Sequence, residues 1–312
     1  LKPVTSIIIP TLNYANYLPK AVASIFETTE ISYSTEVIIV DDGSTDDTKE
    51  VVAFLSKQYP IIYIIQPPSG KSVATKKGIE IAKGEYIFTL DADDWFLPNK
   101  IESTVSIFRK YPKVVHVASP ASIRWEDGSR DDEMEVLPAW LTGKPLTGLD
   151  VLRRFMEKKM LFGGGSTFAA RASVLKELSL PPEVDMYTDE WLVIQVLLAG
   201  DTYFLPDPLS VWRIHQSNYS VQQHSAAGLA AKHARLKASS LAILQNLQDA
   251  EYPRWLQRVY ALKHETRKMV WQEQEGSKKL KDRLHYLFHC MFTGAYPLGW
   301  WASYRVINRL IK

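Results

Sequence analysis

The segment Glu85-Tyr86-Ile87-Phe88-Thr89-Leu90-Asp91-Ala92-Asp93-Asp94 sets an apolar run directly before three carboxylates. Preceded by Gly84 and too short for a helix, the run predicts a buried strand over 85–90. The acids then leave its carboxyl end, the place where ligands bind in an open α/β sheet. The same arrangement recurs upstream, where the apolar Val37 to Val40 runs into Asp41-Asp42-Gly43-Ser44. Val4 to Ile9 and Ile61 to Ile65 predict two further strands. Between the strands lie amphipathic stretches. Leu18, Val22 and Ile25 recur at helical spacing behind Pro19, which suits a first helical turn. Thr45, Asp46 and Asp47 mark a second helix start, with carboxylates at the positive end of the dipole. A third helix begins at about Val73 and closes at Gly84. Strands and helices that alternate in this way predict an α/β, Rossmann-like fold, a mostly parallel sheet flanked by helices.

Farther along, Ile101, Val105 and Phe108 mark another helix, and Asp127-Gly128 a hairpin turn. Gly163-Gly164-Gly165 opens a loop, followed by a helical stretch around Leu192 to Leu198 and a strand near Thr202 to Leu205. The rest is a helix-rich tail. Charge separates the tail from what precedes it. Residues 221–312 carry fifteen Lys or Arg against six Asp or Glu, a balance of +9, and the remainder is −7, which together make the net +2 of the whole 312-residue chain. The expected organisation is therefore a domain over 1–220, with halves of about 1–118 and 119–220, and a basic, aromatic-rich helical extension over 221–312. So small a net charge argues against a nucleic-acid partner. Cys290 stands alone, which excludes an intramolecular disulfide or a cysteine-based zinc site and points to a reducing compartment. No signal-peptide pattern is read at the start and no run of eighteen apolar residues occurs, so a cytoplasmic location is expected. Asn218-Tyr219-Ser220 fits a glycosylation acceptor but reads as ordinary loop sequence in that setting.

Three carboxylates within four residues repel one another unless a cation or hydrogen-bond donors relieve them. Asp91, Asp93 and Asp94 thus have two readings: ligands for Mg²⁺ or Mn²⁺, which take one or two carboxylates together with diphosphate oxygens, or an acidic cap on the next helix. Asp41-Asp42 divides likewise between a turn and an acceptor for a nucleobase N–H. Gly70-Lys71-Ser72 imitates the end of a P-loop, but the first glycine of that motif falls on Ile65, so a Walker site is rejected. The turn after the first strand, Pro10-Thr11-Leu12-Asn13, has no GxGxxG, which excludes dinucleotide binding, and no basic Gly-rich loop for the triphosphate of a nucleotidyltransferase. Asp189-Glu190 opens a helical pattern, and Arg213-Ile214-His215 is a further candidate cluster.

In order and spacing, these pieces resemble the family 2 glycosyltransferases, inverting enzymes of the GT-A fold. The resemblance runs through Ser6 to Asn13, Val40 to Asp46, Lys83 to Ile87 with Leu90 to Asp94, then Asp189 with Leu192, and Arg213 to His215 with Ser220. It implies a hexosyltransferase that moves a sugar from a nucleotide-diphosphate donor, a UDP-sugar, onto a hydroxyl of a saccharide or lipid-linked saccharide in polysaccharide or glycolipid synthesis. By that resemblance Asp42 holds the nucleobase, Thr11 and Leu12 line its pocket, and Asp91 meets the ribose. Gly70, Lys76 and Ala92 complete the nucleotide side. Asp93 binds Mg²⁺ or Mn²⁺, His215 adds a metal or diphosphate contact, and Asp189 is the general base.

One departure stands out. The family's Ala-Arg-Asn before its Gly is here Ala74-Thr75-Lys76-Lys77-Gly78, so Thr75 replaces an Arg whose planar fork of donors Thr lacks. Lys71, Lys76 and Lys77 are the candidates to compensate. Thr75 is also the one feature favouring the alternative of an inactive GT-A-like scaffold. In the tail, His285 to Tyr304 has no charged residue yet carries Tyr296, Trp300, Trp301 and Tyr304, just after Lys278, Lys279, Lys281 and Arg283. Two readings stand: aromatics packed on protein, or a peripheral contact with the inner face of the cell membrane.

Overall fold

A computed structural model of the protein describes residues 3–26, 33–158, 160–216, 218, 225–249 and 252–274. The charge-free aromatic segment of the tail and the lysines before it lie outside the described residues, as does Ser220. The chain divides into two compact units, one of Leu1–Leu152 with Leu161–Gln222 and the other of Arg153–Met160 with Gln223–Lys312. The boundary falls after Gln222, and residues 153–160 group with the second unit.

In the first unit β1 (Thr5–Thr11), β2 (Thr35–Asp41), β3 (Ile61–Ile65) and β4 (Tyr86–Thr89) alternate with α1 (Leu18–Phe26), α2 (Thr48–Leu55) and α3 (Lys71–Ile81). Ile7, Ile8, Ile9 and Val37 to Val40 have no exposed surface. Residues on both faces of these strands are apolar because helices cover both, the condition under which parallel sheets form. Leu18, Val22 and Ile25 face this core from α1, and Ile101, Val105 and Phe108 face it from α4 (Lys100–Lys110). The second helix starts at Thr48 rather than Thr45, because Asp46 accepts the Thr48 N–H and hydroxyl and holds 45–47 in a turn. The third starts at Lys71 and ends at Ile81, before Gly84. Gly84 belongs to the strand approach, where its N–H meets the Ser6 hydroxyl at 2.8 Å.

Beyond β5 (Trp95–Phe96) the chain adds β6 (Val114–Ala118), β7 (Ala121–Trp125), β8 (Glu133–Met134), β9 (Pro145–Thr147), β10 (Ala169–Arg171), β11 (Asp201–Phe204) and β12 (Ser210–Ile214). The large sheet has the order β3-β2-β1-β4-β10-β6-β11-β9, and a smaller one the order β5-β12-β7-β8. From β3 to β4 all neighbours are parallel. The three-residue β10 enters antiparallel to both β4 and β6, which makes the far half of the sheet mixed. Asp127-Gly128 lies in the connection of the antiparallel β7 and β8, a longer loop than a two-residue hairpin. Three helices lie in this stretch of the chain, α5 (Gly148–Lys158), the one-turn α6 (Ala172–Leu175) and α7 (Thr188–Ala199).

The second unit holds α8 (Ala226–Asp249) and α9 (Arg254–Gln274). Ile243 and Leu247 on α8 and Leu256 and Tyr260 on α9 are fully buried, and His264 Nδ1 lies 2.9 Å from the Ser240 hydroxyl. Among the described residues no helix is long and apolar enough to cross a membrane.

Candidate active site

The turns after β1 and β2 interlock. The Asn13 N–H donates to the Ser44 hydroxyl at 2.8 Å, and the Asn13 side-chain oxygen Oδ1 accepts the Thr45 N–H at 2.7 Å. Thr11 is buried beside this junction, and Leu12 is 43% exposed at its rim. The two acids ending β2 part company. Asp41 is committed to the fold, accepting the Ser44 N–H and the Tyr63 hydroxyl. Asp42 accepts Gln66 Nε2 at 2.7 Å and the Ser69 N–H at 2.8 Å on Oδ1, and the Gly70 N–H at 2.8 Å on Oδ2. It thereby pins the loop that leads into α3. Gly70, at φ 96°, reverses that loop where a Cβ would fall 2.5 Å from Asp185 Oδ1, so both the backbone angle and the space require glycine.

The acids after β4 also divide. Asp94 is buried and structural: Oδ2 accepts the Ser166 hydroxyl and Oδ1 the Arg213 N–H, which fastens the 3-10 turn Gly165–Thr167 and β12 to the end of β4. Burial, with Asp93 and Asp91 adding, pushes its carboxyl well above the usual range. Ala92 is buried between its acidic neighbours. Asp93 Oδ2 lies 3.1 Å from His215 Nε2 and accepts Asn218 Nδ2 at 2.8 Å. His215 Nδ1 is 3.0 Å from the Tyr17 hydroxyl, which donates in turn to Glu126 at 3.3 Å.

Asp91 points the other way. The Lys71 ammonium lies 2.8 Å from Asp91 Oδ1 and 2.9 Å from Asp189 Oδ2. Burial disfavours the Lys71 charge, but Asp189 and Asp91 outweigh it and hold the group above the ordinary lysine range. Burial raises Asp91, Lys71 opposes that, and the Asp189 and Asp93 charges add to the rise. Gly165 passes close beneath: at φ 53°, a Cβ on it would lie 3.4 Å from Asp91 Oδ2 and 3.7 Å from Asp189 Oδ2. The backbone approaches both carboxylates because nothing projects there.

The structure thus gathers Asp91 and Asp189 around one cation, Asp93 with His215, and Asp42 with Gly70. Lys76 is not in this gathering: it is exposed on α3, and Lys71 is the lysine that reaches the carboxylates. Glu190 is buried, unlike its neighbour Asp189. Sequence reasoning missed the roles of Asn218, Ser166 and Tyr17. Asn218 sits in a triplet read only as loop, and the other two carry no signal in the sequence.

A sheet whose strands end in acidic turns, facing a helix that starts with a carboxylate, defines an α/β domain of the GT-A type. In keeping with this, the crystal structure of S. aureus TarS 1-349 in complex with UDP-GlcNAc superposes with a TM-score of 0.62 over 92% of this chain and 79% of that one, at 16% identity. The chain belongs to glycosyl transferase family 2, whose pattern it matches over residues 6–179. Asp189 and the Arg213–His215 segment lie beyond that span. An uncharacterized glycosyltransferase of Nostoc is 30% identical over 227 residues, covering 71% of this chain and 68% of that protein. One of Mycoplasma pneumoniae is 40% identical over 110 residues, covering 34% of this chain and 37% of that protein, so the match spans well under half of that relative.

Proposed function

We propose that the protein is an inverting glycosyltransferase that moves a sugar from a UDP-sugar to a hydroxyl of a saccharide or lipid-linked saccharide, with Asp189 as general base. The observation that carries this reading is the single ammonium touching both Asp91 and Asp189. It sets an acid from the donor-side strand end and an acid from the start of α7 on one space. In such a space Asp189 takes the proton of the acceptor hydroxyl as its oxygen attacks the anomeric carbon, opposite to the departing nucleoside diphosphate. The bond to the diphosphate breaks as the new glycosidic bond forms, which inverts the anomeric carbon. On the nucleotide side, Asp42 Oδ2 carries one hydrogen bond and keeps an acceptor site for a nucleobase N–H, with Thr11 and Leu12 beside it. The TarS complex holds UDP-GlcNAc, which supports a uridine donor here.

Mg²⁺ or Mn²⁺ fits the pair Asp93 and His215. Among the described residues no cluster of three or more acidic, His or Cys residues forms a metal cage. These ions need none, because they take one or two protein ligands and fill their shell with phosphate oxygens and water. The described bonds to Asp93 fall on Oδ2, which leaves Oδ1 for an ion. His215 Nε2 lies 3.1 Å from Asp93 Oδ2, so the imidazole and the carboxylate converge where one ion could take both. When bound, the ion would neutralise charge on the leaving diphosphate.

The test is a set of thermal melts with nucleotides of different bases, with and without Mn²⁺, followed by transfer assays from the nucleotide-sugar that binds. Expected are a rise in melting temperature with UDP and Mn²⁺ together and a product of inverted configuration. Retained configuration overturns the mechanism, and binding without turnover on any acceptor favours the scaffold.

A further inference from the structure

Among the described residues Lys71 is the side chain that meets both Asp91 and Asp189, at 2.8 and 2.9 Å. Its position is built by the fold. The first turn of α3 is stitched to residues 181–189 by the Lys71 N–H on Asp185 Oδ1 at 2.7 Å and by the Ser72 hydroxyl on the Pro181 carbonyl at 2.7 Å. On the other side, Asp42 anchors the Ser69 and Gly70 N–H groups immediately before that turn. The root of Lys71 is thus fixed from both the strand end that bears Asp42 and the segment that leads into α7.

Thr75 follows Lys71 by four residues, so the two share one face of α3. Thr75 is 1% exposed and its Oγ1 has no hydrogen-bond partner. A hydroxyl sealed at that depth supplies no donor to the site. The cation on this face is carried one turn earlier, at Lys71, on a long stem. That stem ends between the acid after β4 and the acid at the start of α7.

We infer that Lys71 is a positioning residue: it fixes the Asp189 carboxylate relative to Asp91, so that base and donor are held in register. The inference rests on the proposed function for its catalytic meaning and on the two ion pairs for its physical content. A base displaced by a fraction of an ångström to one ångström loses much of the benefit of a bound geometry. Loss of Lys71 should therefore fall on turnover more than on donor binding.

Two measurements test this. In steady-state transfer, Lys71→Met should lower kcat by about 10- to 100-fold with donor KM changed less than about 3-fold, and Lys71→Arg, which restores a cation of similar reach, should recover most of the loss. A KM that rises while kcat holds, or Met and Arg variants equally impaired, would make Lys71 a binding charge or a packing element and overturn the inference. The second measurement needs no turnover. In thermal melts of Lys71→Met, Asp189→Asn and the double variant, the double should lose less than the two singles together, since the second change removes a partner already gone. Additive losses mean that the pair is not coupled, and the inference falls whatever the enzyme does. If the unaltered protein consumes no sugar nucleotide, the proposed function fails by itself, and the melts alone decide the tether.

Discussion

Replacing Asp189 by Asn preserves the size of the side chain and removes only its charge and its ability to take a proton. The side chain is 39% exposed, and Lys71 has a second partner, Asp91 at 2.8 Å, that the substitution leaves in place. A partly exposed ion pair of this kind is worth about 1 kcal/mol or less, so the variant should fold and melt close to the parent. Asp42, Thr11 and Leu12 belong to other elements, so nucleotide affinity should stay within about threefold. Turnover is different. Positioned bases contribute ~10²–10⁴ in rate, about 2.7–5.5 kcal/mol of transition-state stabilisation, and kcat should fall by an amount in that range. The assay is transfer from a UDP-sugar under saturating donor, with donor affinity from calorimetry and Glu190→Gln measured in parallel. Glu190 is buried, so its variant should lower the melting temperature while turnover per folded molecule changes little. Near-normal turnover in Asp189→Asn, with collapse in Glu190→Gln at an unchanged melting temperature, would refute the assignment and move the base to Glu190.

Asp93→Ala should abolish the extra thermal stabilisation that Mn²⁺ adds to bound UDP, while the response to nucleotide alone persists; a metal response equal to the parent's would remove Asp93 from the metal site. Gly84→Ala should destabilise by about 1–3 kcal/mol, because a Cβ there falls 2.6 Å from the Ser6 nitrogen and the Thr5 carbonyl carbon, backbone atoms that cannot turn aside. Urea titration reads this directly, and a midpoint unchanged from the parent contradicts it. His116 is fully buried between Thr202 and the Gly163 carbonyl, and burial, with the Lys100 charge adding, brings its pKa down from 6.5 to about 4. Between those values the unfolded chain binds the proton and the folded one does not, so stability should fall as pH drops from about 6.5 to about 4, by up to roughly 3 kcal/mol. His116→Gln should flatten that slope, and an equally steep slope in the variant assigns the acid sensitivity to other groups.

The regular alternation of the first ninety residues was legible because it is written locally. Ile61–Ile65 is a strand with the bounds its apolar run predicts, and Leu18, Val22 and Ile25 lie on one buried face because helical periodicity puts them there. The family resemblance followed from short segments whose order survives without any knowledge of their contacts. The far half of the sheet was not legible. β10 is three residues long, too short to show a period, and its antiparallel course depends on β4 and β6 meeting it from both sides.

Within the acidic clusters, the sequence established that carboxylates crowd the ends of two strands; which of them are available to a ligand was decided by the tertiary structure. Asp41 and Asp94 are spent on Tyr63, Ser44, Ser166 and Arg213, and burial makes those bonds obligatory. Asp93 meets Asn218 across 125 residues of chain, and Lys71 meets Asp189 across 118. No local pattern encodes such pairs, since they arise only when packed elements bring distant side chains together. Thr75 and Lys71 show the same division. The sequence revealed that an arginine was missing and offered three lysines in its place; the direction of α3's buried face, set by packing on the sheet, leaves Lys76 and Lys77 in solvent and turns Lys71 to the carboxylates.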